Sequence, residues 1–475
     1  MRESWRKFLE GGIEINLSLS IHFVLQQSFI AQFKDKIVKT RDHIMTQASS
    51  IVIVVVAVIV ALSMTIIKPE VPEYVPFNLQ EFQANCPSKY NSKVVRFVGG
   101  DGITMLTGRI YLPTSPTSKT EEDNNVESSS SSTSNNTSSL LPPIVIMAHG
   151  MGLIQDNGLY PFVEAFLNEN MAVFTFDYAT FGASDGLPRH RIYPNSHVND
   201  ILAAINHITT TGGGGESNNN NDVDEEWRNS VDTSRIGLWG TSLGGGHVLI
   251  VQAKLMQLNQ EESRLKAVIS QVPHIASGFE SIIGSLLYTT PRETFMGVVL
   301  YVLGLIQWLI NLVFYQNNTS SSYFPIVGQP GTAAMMQNYG DYDGYMSNLA
   351  PTVEKAGVAY SNTNYGWKNS ATTESGLHLL MYRPLSFLLG NDVGNGNGND
   401  GNNGNNDGPP ILLIAAEYDT LCPAKYVQRA QQHLGTKRAK LVTLKNVGHF
   451  DAYQGNALQD ILNVQVPFLK NHLFY

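Results

Sequence analysis

The 475-residue chain has little cysteine, little charge and no excess of basic residues. Its two cysteines, Cys86 and Cys422, exclude a disulfide scaffold and a zinc site of four thiolates. Only 15% of residues are charged, and 40 acidic side chains outweigh 31 basic ones, for a formal net charge of −9. That balance creates no field for a phosphate backbone, and no nucleic-acid-binding motif occurs, so no nucleic-acid partner is expected. A His-Glu-x-x-His zinc motif, a P-loop and a strand-linked dinucleotide fingerprint are also missing. No cofactor and no metal are therefore expected. Hydrophobic residues make up 43% of the chain, too many for a disordered polymer, and the polar residues are clumped.

Three clumps are low in complexity. Residues 114–139 are dominated by Ser, Thr and Asn, 212–222 by Gly and Asn, and 391–408 by Asn, Gly and Asp. Such segments bury too little apolar surface to offset the entropy of ordering them. Strand-like runs flank each one, so they read as long loops inside a domain rather than as linkers between domains. At the other extreme, Ile51–Ile67 reads IVIVVVAVIVALSMTII, and no charge occurs from Ile44 to Ile67. As a helix this run reaches about 26 Å, near the lower limit for crossing a bilayer, and it is too long for an ordinary strand. Lys34, Lys36, Lys39 and Arg41 precede it, whereas Lys68, Glu70 and Glu73 follow. The positive-inside rule then sets the orientation. The expected organisation is a cytosolic tail at 1–49, a transmembrane signal anchor at 50–68, and a catalytic domain at 69–475 on the lumenal or extracellular side. Sequons at Asn135, Asn136, Asn317 and Asn318 would lie on that side.

Within 69–475, short apolar runs alternate with segments of helical periodicity. Val94–Val98 and Ile103–Leu112 flank a Gly/Asp turn and predict a hairpin. Strands are predicted at Pro143–Ala148, Met171–Phe176, Arg235–Trp239, Leu265–Val272, Pro410–Ala416 and Lys440–Leu444. Helices are predicted at Tyr160–Glu169, His197–Ile208, Gly246–Leu258, Tyr426–Leu434 and Leu458–Leu473. Continuous apolar strands alternating with helices predict an α/β fold, a mostly parallel sheet covered on both faces.

Chemistry concentrates at the strand ends. Gly240-Thr241-Ser242-Leu243-Gly244 follows a strand and opens a helix, as a nucleophile elbow requires. Serine needs a base, and His449, after the last strand in Gly448-His449-Phe450-Asp451, is the best placed of twelve histidines. His247 and His149 read as structural. Asp419, just past a strand end, is the expected carboxylate behind the base, and Glu417, two residues earlier, is its rival. A developing oxyanion needs two donors, and the backbone N–H groups of Leu243 and Met151 are the candidates. Cys422 near Asp419 reads as a structural thiol.

With its order of Ser242, Asp419 and His449, the chain resembles the α/β hydrolases of the serine-esterase and serine-aminopeptidase-like group, near dienelactone-hydrolase-like and acetyl-xylan-esterase-like members. The resembling stretches run from about Val94 to Leu473. They include Asp177-Tyr178 to Gly186, Arg235–Val248, Tyr323–Met335, Ala416–Pro423 and Gly448–Gly455. The resemblance implies an eight-stranded sheet with a helical cap between the sixth and seventh strands, here about 273–391. It implies hydrolysis and no finer chemistry; the expected function is a serine hydrolase acting on a small-molecule or lipid-like ester, with a peptidase or amidase, or a catalytically dead binding module, as the alternatives. Thr294–Tyr315 is a second uncharged run of 22 residues. A span there would put Ser242 and Asp419 on opposite sides of a bilayer, so it reads as a cap helix that could touch the membrane surface.

Overall fold

The computed structural model describes residues 74–85, 90–114, 141–210, 227–257, 264–278, 322–349 without 331 and 333, 365–388 and 408–475, with a few isolated positions between them. The tail 1–49 and the segment 50–68 lie outside the described residues, as do the loop 212–222 and nearly all of 114–139 and 391–408. Among the described residues no helix is long and apolar enough to cross a membrane.

Eight strands form one sheet: β1 (Ser92–Val98), β2 (Met105–Tyr111), β3 (Pro143–Ala148), β4 (Ala172–Phe176), β5 (Asp232–Thr241), β6 (Leu265–Gln271), β9 (Ile411–Ala416) and β10 (Ala439–Leu444). Their order is β1-β2-β4-β3-β5-β6-β9-β10. β1–β2 and β2–β4 pair antiparallel, and every other neighbouring pair is parallel. The expected eight-stranded, mostly parallel sheet is what forms. β3 and β9 are buried at every position, as their unbroken apolar sequences require of strands covered on two faces. The hairpin forms too, but β2 starts at Met105 rather than Ile103. Asp101 Oδ1 accepts the N–H groups of Ile103 at 2.9 Å and Thr104 at 2.8 Å, and this turn occupies the residues that would have extended the strand.

Two sets of helices cover the sheet. α2 (Tyr160–Asn168) and α9 (Gly455–Leu473) pack together on one face, and α3 (Pro194–Thr209), α4 (Leu243–Gln257) and α8 (Ala424–Leu434) serve the other. A further helix, α1 (Leu79–Asn85), precedes β1. α9 buries Leu458, Ile461, Gln465, Leu469 and Leu473, a stripe at helical spacing. The one polar member is satisfied: Trp239 Nε1 donates to Gln465 Oε1 at 3.0 Å, and Gln465 Nε2 donates to Gln271 Oε1 at 2.7 Å. α4 starts at Leu243, three residues before the predicted start, despite its glycines. The sheet demands them. A Cβ on Gly244 would stand 2.5 Å from the carbonyl oxygens of Ala148 and His149, so only glycine lets the first turn of α4 meet the end of β3.

Between β6 and β9 lies the cap. Its described parts are a two-strand ribbon of β7 (Tyr323–Phe324) and β8 (Ala371–Thr372), with α5 (Asp341–Asn348), α6 (Glu374–Leu380) and α7 (Pro384–Leu388). Of the run Thr294–Tyr315, only residues 302, 304–306 and 309 are described, and all are helical. Val302 and Leu305 there are 40% and 44% exposed.

Candidate active site

β5 delivers Ser242 on a sharp turn into α4. Its φ is +54°, a left-handed conformation that costs a side-chain-bearing residue about 1–2 kcal/mol and persists only where the surroundings hold it. They do so here. Ser242 N–H donates to Gln271 O at 2.9 Å, and its carbonyl accepts from His274 N at 2.8 Å and Gly246 N at 3.2 Å.

The base and the acid arrive from two further strand ends. His449 stands five residues past β10, where Gly448 N donates to Asp451 Oδ2 at 2.8 Å and a 3₁₀ turn, Phe450–Tyr453, follows. His449 Nε2 is 3.1 Å from Ser242 Oγ, and its Nδ1 is 2.6 Å from Asp419 Oδ2. Asp419 Oδ1 accepts the N–H groups of Leu421 at 3.0 Å and Cys422 at 2.6 Å, which fixes the carboxylate in the plane it presents to the imidazole. Both side chains are buried. Glu417 is turned away. Its carboxylate takes Lys445 Nζ and Asn446 N–H, each at 3.0 Å, and these hydrogen bonds hold its pKa below the ordinary value. The structure thus brings Ser242, His449 and Asp419 into one hydrogen-bonded chain and leaves Glu417 outside it.

The candidate oxyanion donors flank the serine. Leu243 opens α4, and Met151 lies in the loop after β3; neither N–H has a hydrogen-bond partner among the described residues. The loop passes close to the nucleophile: a methyl group on Gly150 would stand 3.2 Å from Ser242 Cβ.

The other histidines near the site are largely enclosed, and burial lowers the pKa of each. His247 Nδ1 meets Tyr382 Oη at 2.7 Å, and burial pushes its pKa down to about 3. His149 and His247 are wholly enclosed and His274 is half-buried, and burial lowers His149 and His274 to about 4. None of them faces Ser242 Oγ through a hydrogen bond. Cys422 lies closer to the chemistry than its sequence position suggested. One ligand atom each from Asp419, Cys422 and His449 lies within 4.8 Å of the others, the one such group of three among the described residues. Burial, reinforced by the charge of Asp419, pushes the thiol well above its ordinary value. A cation would have to displace that proton and break the Asp419–His449 hydrogen bond, so these residues fit a proton relay better than a metal centre.

Sequence reasoning missed what the cap contributes. α5 lies directly on the site: Asn348 Nδ2 donates to Phe450 O at 3.0 Å, and Tyr345 packs its ring 5.9 Å from that of Phe450. Asp341, at the start of α5, is buried. Burial raises its pKa to about 7, with His449 and Asp419 acting on it in opposite directions. No local pattern in 334–349 marks these residues, because their partners are a hundred or more positions away.

Comparison with known proteins places the fold among these likenesses. The family described as TAP-like protein matches residues 392–461, the stretch carrying β9, Asp419 and His449. The quorum-quenching protein AidA of Acinetobacter baumannii is 27% identical over 332 residues, covering 69% of this chain and 86% of that protein. The thiohydrolase aneE of Aspergillus aculeatus is 21% identical over 331 residues, covering 69% of this chain and 85% of its own length. Among solved structures, the α/β hydrolase GrgF from Penicillium sp. sh18 superposes with a TM-score of 0.51 at 19% identity, covering 81% of this chain and all of that one. A hypothetical protein from Pseudomonas aeruginosa gives the same score at 18% identity, covering 84% of this chain and all of its own.

Proposed function

From the premise that the chain is an α/β hydrolase, we propose that it is a serine hydrolase that cleaves a carboxylic ester through an acyl-enzyme on Ser242. The observation that carries this is the chain Ser242 Oγ–His449 Nε2–Nδ1–Asp419, at 3.1 and 2.6 Å, set on a left-handed nucleophile turn. Ser242 Oγ attacks the carbonyl carbon as its proton passes to His449 Nε2. The oxyanion so formed is held by the N–H groups of Leu243 and Met151. Collapse breaks the bond to the alcohol, which leaves with the proton from His449. Water then attacks the acyl-enzyme, with His449 again taking a proton, and the carboxylic acid departs. Asp419 stabilises the imidazolium at each step and holds Nδ1 as the protonated nitrogen.

Thioesters fit the same chemistry, since the thiol is the easier leaving group, and a relative bears the name thiohydrolase. Matched ester, thioester and anilide substrates with one acyl group separate these readings. Turnover confined to the anilide would replace the esterase with a peptidase. The decisive experiment is Ser242→Ala with fluorophosphonate labelling. The wild type should label at Ser242, and the variant should lose both the label and on the order of 10⁶ in kcat. Residual activity of a few per cent would move the nucleophile elsewhere.

We also propose that 50–68 anchors the chain with its hydrolase domain across the membrane from the tail. The uncharged run and its basic flank support this. The anchored chain resists carbonate extraction, and protease outside sealed microsomes should remove the tail alone. Digestion of the hydrolase domain under those conditions would reverse the orientation.

A further inference from the structure

We propose that the oxyanion hole is latched from the cap: His149, Tyr345 and Trp367 are positioning residues that together fix the direction of the Met151 N–H. The proposal rests on the serine-hydrolase reading above.

Three successive peptides of the loop after β3 are each held by a different side chain. His149 Nδ1 lies 3.0 Å from Gly150 O, Tyr345 Oη donates to Met151 O at 3.1 Å, and Trp367 Nε1 donates to Gly152 O at 2.8 Å. A trans peptide is planar, and its N–H and C=O point in opposite directions. Holding the carbonyl of the Gly150–Met151 peptide therefore aims the Met151 N–H, the candidate donor. The next two latches fix the torsions on which that peptide is carried. Gly150 O can only accept, so His149 must carry its proton on Nδ1. His149 is buried against Tyr178, with ring centroids 4.3 Å apart, which keeps the imidazole neutral and in place.

Two of the three latches come from the cap. Tyr345 is buried, and its ring lies 5.5 Å from that of Trp367, so the two donors form one unit. Ile326, also from the cap, fills the space beside Gly152, whose φ is +66°. The same α5 that carries Tyr345 also holds Phe450 O through Asn348, next to the base. Displacing the cap would thus release the carbonyls of Met151 and Gly152 and leave the donor peptide held at Gly150 O alone, by His149 and by the Leu153 N–H at 3.4 Å. The hole is complete only when the cap is seated, which ties transition-state stabilisation to a closed site.

The test uses Tyr345→Phe and Trp367→Phe in the full chain. Each keeps a ring and removes one donor. With a p-nitrophenyl ester, each should lower kcat about tenfold with KM within twofold, and the double variant should approach the 10²–10³ that loss of one oxyanion donor costs. A trifluoromethyl ketone, which adds Ser242 Oγ to form an oxyanion, should lose affinity by the same factors. That inhibition constant does not depend on how much of a preparation is folded, so partial unfolding cannot imitate the result. Unchanged ketone affinity in both variants overturns the latch. If Ser242→Ala remains active, the serine-hydrolase reading fails and the latch with it. If Ser242→Ala is inactive while both cap variants match the wild type in kcat and ketone affinity, the latch alone fails.

Discussion

The floor and the cap side of the site reach the same few atoms by different routes. On the floor, Ser242 follows β5 directly, Asp419 stands three residues past β9, and His449 five past β10. Parallel pairing of neighbouring strands brings those ends together, so the three side chains inherit their spacing from the sheet. On the cap side, Tyr345 and Trp367 reach the loop after β3 from 194 and 215 residues away. Tyr345 rises from the short α5 and Trp367 from a loop, and no regular pairing places either. The floor is positioned by backbone hydrogen bonds, and the cap side by individual side-chain contacts. The floor should therefore tolerate changes in the cap that leave the loop carbonyls held, whereas the cap can be lost locally without unfolding the sheet.

The sharpest division on the floor lies between two carboxylates two residues apart. Asp419→Asn should lower kcat by about 10⁴ at neutral pH, because an amide that still touches Nδ1 favours the wrong imidazole tautomer. Glu417→Gln should change kcat less than threefold, since Glu417 serves the turn at Lys445–Asn446 and not the imidazole. Steady-state kinetics on one ester decide it, and the reverse ranking would assign the acid to Glu417.

Sequence legibility followed the same division. The turn at Ser242, the placement of His449 beside it and the strand ends were readable because each sits beside a strand whose apolar run is unmistakable. Asp419 was the expected carboxylate from its place past the strand end, but Glu417 stayed its rival because only tertiary contacts separate two carboxylates beyond the same strand. The extra turn at the start of α4 was hidden because three glycines argue against helix locally. Close approach to β3 outweighs their entropy. Tyr345 and Trp367 carried no signal in the sequence, because the carbonyls they meet lie 194 and 215 residues away.

Asp341 offers a smaller effect at the border between the two regions. Its carboxyl accepts Asn338 N–H at 2.9 Å and is buried on the site side of the cap, where Asp419 disfavours its ionisation and His449 favours it. Its pKa is raised from 3.8 to about 7, chiefly by burial. Between those values the folded chain keeps a proton that the unfolded chain has released. This group's contribution is therefore most favourable below about pH 4 and is lost as pH rises toward 7. The buried imidazoles act with the opposite sign, so total stability cannot isolate it; the difference between wild type and Asp341→Asn can. In urea unfolding, the variant should gain stability relative to wild type between pH 4.5 and 8, by up to a few kcal/mol. A difference independent of pH would mean that Asp341 is ionised in the fold like an ordinary surface carboxylate.

The finest test is at Gly152, where the cap also touches the loop through an apolar side chain. Its φ of +66° costs a residue with a Cβ about 1 kcal/mol. That Cβ would also stand 2.5 Å from Ile326 Cδ1 and 3.0 Å from Cγ1. Ile326 is fully buried and has little room to yield. Gly152→Ala should therefore lose about 1–3 kcal/mol, part from the backbone and part from the clash. The two parts separate in a double-mutant cycle. Ile326→Ala removes the clashing atoms at its own cost of about 2–5 kcal/mol. In that background Gly152→Ala should lose only the backbone share, with a coupling of about 1 kcal/mol between the sites. Urea midpoints of the four proteins supply the cycle. Zero coupling would mean that the loop holds its shape without the cap side chain seated against it, and the contact at Gly152 would then be proximity without constraint.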